Sequence, residues 1–98
     1  MQTEQTPEID NTVGSDIGTG GGVVAFNNDT NTFDEVIRVL VKATGCSTAQ
    51  ANNLAIEIDK QGKARVFEGS YSKCIQVSSI IESIGIQTQV EIGWNQSS

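Results

Sequence analysis

The sequence predicts an α+β fold, a two-layer β-α-α-β-α-β sandwich with three helices on a three-stranded antiparallel sheet, and three observations carry that prediction. Two capping-box spacings, Thr32 to Glu35 and Ser47 to Gln50, each open a stretch of helical apolar period. Gly45, Gly62 and Gly85 stand where these stretches and a third one end. Short β-prone runs lie between and around them, and the last alternates from Ile86 to Ile92.

Val23-Val24-Ala25-Phe26 follows a glycine cluster and precedes the turn-prone Asn27-Asn28-Asp29, which makes it the first strand. In the helix behind Thr32, Asp34 and Glu35 sit in the first turn, where the dipole favours carboxylates. Phe33, Val36, Ile37, Leu40 and Val41 form one apolar face of that helix, and Lys42 and Gly45 suit its end. The second helix carries Ala51, Leu54, Ala55 and Ile58 on one face, stops at Lys60 and Gly62, and pairs with the first as a hairpin. Lys63 to Glu68 is the second strand, with imperfect alternation because Val66 and Phe67 are adjacent. Ser70 or Ser72 caps a third helix whose Cys74, Val77, Ile81 and Ile84 share a side. Ile86, Thr88, Val90 and Ile92 then form the buried face of the last strand, and Trp94 beyond it is expected to pack back on the domain.

The chain of 98 residues has room for one domain, placed at residues 23–92, with a tail at 93–98. Residues 1–22 hold Glu4, Glu8, Asp10 and Asp16, no Lys or Arg, and a glycine run, which reads as a flexible acidic arm. Most of the net charge of −6 therefore lies outside the domain, whose near balance argues against nucleic acid as a partner. No apolar stretch is long enough to span a membrane, and the polar sequence after Met1 lacks a signal-peptide pattern. The expectation is a cytoplasmic protein without membrane contact. Cys46 and Cys74 have no CxxC spacing and read as two reduced, packed thiols. The absence of histidine removes Ser-His-Asp, Cys-His and His-metal chemistry together, so a binding module is expected and not an enzyme.

The run from Phe26 through Asn27-Asn28-Asp29 to Val39-Leu40 resembles the opening of the Clp protease adaptor family ClpS. There a hydrophobic strand enters Asn-Asp-Asp, a short turn and an amphipathic helix ending in Val-Leu. Gln50-Ala51 and Gln61-Gly62-Lys63-Ala64 are similar to the family's second helix and following strand at matching distance. The resemblance implies the predicted fold, a kind shared with the C-terminal domain of ribosomal protein L7/L12, so topology alone does not decide function. It implies an adaptor that binds N-degron proteins, those beginning with a destabilising hydrophobic residue, and hands them to the N-domain of a Clp AAA+ ATPase. No cofactor is implied, and a monomer is expected.

Such recognition needs acceptors around an α-ammonium and an apolar pocket for the first side chain. By the resemblance, Asn27 and Asp29 hold the ammonium, and Asp59 stands where the family has a histidine. Phe33, Val36, Ala55 and Ile58 would line the pocket, with Ala55 at a position where Met is common. The same residues also fit a plainer account: Asn27 to Asn31 as an Asx turn, the four apolar side chains as core, Asp59 as a solvated residue near a helix end. If Asp59 keeps the ammonium contact, binding should persist down to about pH 4 to 5, where a histidine site would fail at about pH 6 to 7. The smaller Ala55 should favour large aromatic first residues over Leu. At the start of the third helix, where the family often carries a Glu and a Lys for docking its unfoldase, this chain has Ser72 and Val77, with Lys73 nearby. The alternative function is a module of the same fold that binds a partner through its surface without a working amino-terminal pocket.

Overall fold

The computed structural model describes residues 20–92. The expectations for most of the acidic arm and for Trp94 in the tail lie outside the described residues. The elements run β1 (Gly20–Phe26), α1 (Phe33–Thr44), α2 (Thr48–Gln61), β2 (Lys63–Ser70), α3 (Tyr71–Glu82) and β3 (Thr88–Ile92). The sheet order is β2-β1-β3 with both pairings antiparallel, so the first strand is the central one.

Both capping boxes form with their backbone and side-chain bonds reciprocated, and Gly45 and Gly62 end their helices in the left-handed conformation at φ 77° and 88°. Ser70 caps α3 by accepting from the Lys73 N–H, which settles the choice between Ser70 and Ser72. Ile86 is buried but precedes β3, which begins at Thr88, and Ile92 at its end is exposed.

One boundary moves. Gly20, Gly21 and Gly22, assigned by sequence to the arm, are strand residues: Gly20 pairs with Ser70 of β2 alone, while Gly21 lies opposite Gly69 and Ile92, and Gly22 opposite Glu68 and Glu91. The reason is proximity. A Cβ on Gly21 would stand 2.5 Å from the Glu91 carbonyl oxygen and 3.4 Å from the Cys74 sulfur, so α3 and β3 close on this strand because it carries no side chain there.

The uneven alternation of β2 also has a cause. Val23 pairs with Phe67 and Val24 with Arg65, which leaves Val66 as an extra residue in a bulge. Ala64 and Val66 are buried and Phe67 packs against the same core, so the bulge turns two adjacent side chains inward. That core is built from Val23 and Ala25 of β1, Leu40 of α1, Ala51 and Ile58 of α2, and Cys74, Val77 and Ile81 of α3. Helix α3 packs on all three strands and α2 on β2, while α1 rests mainly on the other two helices. Val39, off the predicted face of α1, is buried as well.

Candidate functional site

The chain leaves β1 between two anchored loops. The Phe26 N–H donates to the Gln87 carbonyl at 3.0 Å, and the Asn27 N–H donates to the Gly62 carbonyl at 2.9 Å. Gly62 is the C-cap of α2, and Asp59 lies in the turn before it. The strand end carrying Asn27 is thus fastened to the helix end carrying Asp59.

Asn28 is the clamp of the turn that follows. Its side-chain Oδ1 accepts the N–H groups of Thr30 at 3.3 Å and Asn31 at 3.2 Å, an Asx turn. Its amide donates to Asn31 Oδ1 at 2.8 Å and to the Gly85 carbonyl at 3.3 Å, which ties the turn to the loop after α3. Asn31 then donates to Glu35 Oε1 at 3.2 Å, and Glu35 accepts the Thr32 N–H at 2.9 Å. These bonds hold the Glu35 carboxyl below the ordinary glutamate range, the Thr32 bond contributing most, then the Asn31 bond, with Arg38 adding a smaller attraction against slight desolvation.

With Asn28 turned inward, Asn27 and Asp29 on either side of it are exposed, as is Asp59. Among the described residues, ion pairs join Arg38 to Asp34 and Arg65 to Glu68 and Glu91, and none takes up Asp29 or Asp59. The acceptors the sequence singled out are therefore open to solvent, Asn27 and Asp29 on a turn held by the Asn28 bonds and Asp59 in the last turn of α2. The clamp itself was not among them, although the Asn-rich turn composition signals an Asx turn.

The apolar residues divide. Phe33, the first residue of α1, is 44% exposed, and Val36 one turn on is half-buried against the core. Ala55 and Ile58 are 2% and 4% exposed, and Ile58 belongs to the core. They form a floor under the surface and not an open wall. Among the described residues, a concavity of about 260 Å³ between α1 and the end of α3 borders the turn at Asn31 and Glu35 and runs over Arg38, Val39 and Ile84, and another of about 330 Å³ lies over Cys46, Leu54 and Val66; neither is lined by Phe33, Val36, Ala55 or Ile58.

At the start of α3, Ser72 and Lys73 are exposed but Val77 is buried, so Val77 offers nothing to a docking partner. Cys46 and Cys74 are free thiols. Burial pushes the Cys74 thiol pKa up, against a weak bond to the Gly69 carbonyl and the field of Arg65. Among the described residues no helix is long and apolar enough to cross a membrane.

Fold and site define a class: a small α+β domain with exposed acceptors on a clamped turn and on the helix end bonded to it, and with a partly open aromatic at the start of α1. A family model described as "ATP-dependent Clp protease adaptor protein ClpS" matches residues 22–90, and the chain belongs to that family. Among solved structures, Agrobacterium tumefaciens ClpS2 bound to L-phenylalaninamide has a similar fold, with a TM-score of 0.71 at 15% identity over 76% of this chain and 98% of that one. Human E3 ubiquitin-protein ligase UBR2 is 34% identical over 56 residues, and human E3 ubiquitin-protein ligase UBR1 is 35% identical over 60 residues. These matches cover 57% and 61% of this chain. The aligned segments span 3% of the length of either ligase.

Proposed function

We propose that the domain is an N-degron adaptor that holds the free α-amino group of a substrate protein at Asn27, Asp29 and Asp59 and its large hydrophobic first side chain beside Phe33 and Val36, above Ala55 and Ile58. One observation carries this reading: the bond from the Asn27 N–H to the Gly62 carbonyl joins the strand end that leads into Asp29 to the helix end that carries Asp59, and the side chains of Asn27, Asp29, Asp59 and Phe33 are all exposed. An ammonium is a donor-only cation that must be paired again once it loses water, and carboxylates and an amide carbonyl meet that need. L-phenylalaninamide, bound by the similar Agrobacterium protein, combines a free α-amino group with an aromatic side chain, which supports the same ligand class here. The domain does no chemistry of its own in this reading and takes no cofactor.

Delivery to a Clp AAA+ ATPase in the cytoplasm is part of the proposal and rests on the family. A second reading of the recipient is favoured by the matches to E3 ubiquitin-protein ligases, in which this kind of domain is a small part of a much longer chain. Both recipients share the same first step. That step is tested by titrating a peptide that begins with free Phe against its N-acetylated twin. Binding of the free peptide at least about tenfold tighter is expected, since the acetylated one leaves the acceptors unpaired. Equal affinities would leave the domain a surface-binding module without an amino-terminal pocket, the reading that the buried Ala55 and Ile58 favour.

A further inference from the structure

Away from the candidate site, and apart from Ile56 on α2, the large apolar side chains open to solvent among the described residues are Tyr71 at 42%, Ile75 at 44% and Ile92 at 59%. They share one place. On α3, Ser78 bonds the Thr88 hydroxyl, which also donates to Glu82 Oε2 at 2.7 Å, so this flank of the helix faces β3. Ile75 and Tyr71 precede Ser78 by three and seven residues and continue the same flank toward the helix start.

On β3, Ile92 pairs with Gly21, whose missing Cβ would point at the Cys74 sulfur. Directly paired residues project from the same face of a sheet, so Ile92 projects toward α3. The strand descends from Thr88 at the Ser78 level to Ile92 at the Cys74 level, which brings Ile92 beside Ile75 and Tyr71 on the open edge of the sheet.

The chain continues for six residues past Ile92, and Trp94 is the second of them. Two residues of chain reach at most about 7 Å, so Trp94 stays within side-chain reach of the patch around Ile92. We propose that Trp94 covers this patch, its indole seated on Tyr71 and Ile75, so that the C-terminal residues of the chain are the patch's own occupant. A Trp side chain is large enough to shield all three residues, and its N–H remains at the rim.

The chain holds one Trp and one Tyr, so its fluorescence reports on this contact alone. In the full chain, Trp94 emission is expected to be blue-shifted from that of the denatured chain, with acrylamide quenching at least about twofold weaker and energy transfer from Tyr71. In a Tyr71→Ser, Ile75→Ser double variant with unchanged far-ultraviolet circular dichroism, quenching should rise to the denatured level. Emission and quenching of the native wild type equal to those of the denatured chain would overturn the proposal without any variant. So would a shielded Trp94 indifferent to the double variant, or shielding that disappears on dilution, which would assign the patch to a second copy.

Discussion

Glu35 accepts the N–H of Thr32 and the side-chain amide of Asn31, and it is wholly exposed, so its lowered pKa reports hydrogen bonding to the charged form more than burial. A carboxyl whose pKa falls on folding stabilises the native state above its unfolded pKa. That contribution disappears as the pH drops through the lowered native value. A Glu35→Gln variant keeps an acceptor at the same helix position, as Gln50 does in α2, but carries no titrating group. The expected result is a wild type more heat-stable than the variant at neutral pH, with the difference closing in the acid range below the ordinary glutamate pKa. Melting temperatures taken across that range check it, and a gap that persists in strong acid would contradict the assignment. At this same scale the sequence was a partial guide to the site. Asn27, Asp29 and Asp59 were singled out through the resemblance to the ClpS family, and the structure leaves all three side chains exposed. The closure of Ala55 and Ile58 could not be read in advance, since helical period marks an apolar face without saying whether core or ligand covers it.

At the scale of elements, the glycines of β1 show where composition misleads. A run of Gly beside acidic residues reads as linker because glycine lowers strand propensity. Here the strand is imposed by its neighbours on both sides, which pairing patterns far away in sequence do not advertise. The two helices with reciprocal capping boxes were legible for the opposite reason: their signals are local and complete within four residues. The glycines can be told apart experimentally. A Cβ on Gly21 would press on the Glu91 backbone at 2.5 Å, which moves only with the sheet. A Cβ on Gly22 would meet the Arg65 guanidinium, the far end of a flexible side chain that reaches across β1 to Glu91. Gly21→Ala should therefore cost about 1–3 kcal/mol in urea unfolding. Gly22→Ala should cost about 0–1 kcal/mol, the worth of a largely solvated ion pair. A reversed order would mean that the Arg65 bridge, and not the close approach of β3, keeps this strand free of side chains.

For the whole molecule these contacts fix where the folding unit starts. β1 is the central strand, and its first three residues pair with Ser70, Gly69 and Glu68 of β2, the second and third of them also with Ile92 and Glu91 of β3. A chain that begins at Gly20 keeps all of these pairings. One that begins at Val23, the boundary suggested by composition, loses them and also strips the ledge against which Cys74 packs. Each net backbone hydrogen bond contributes about 0.5–1.5 kcal/mol. Three residues paired on one side, two of them on both, therefore represent several such contributions, in a domain whose total stability is expected to be only about 5–15 kcal/mol. The shorter chain should lose a large part of its stability, visible as a midpoint drop in urea unfolding and as faster amide exchange in β2 and β3 together. The chain beginning at Gly20 should stay within about 0.5 kcal/mol of the full-length protein. Equal stability of the two truncations would show that the glycine segment lies on the sheet without helping to hold it, and the domain would then begin at Val23 after all.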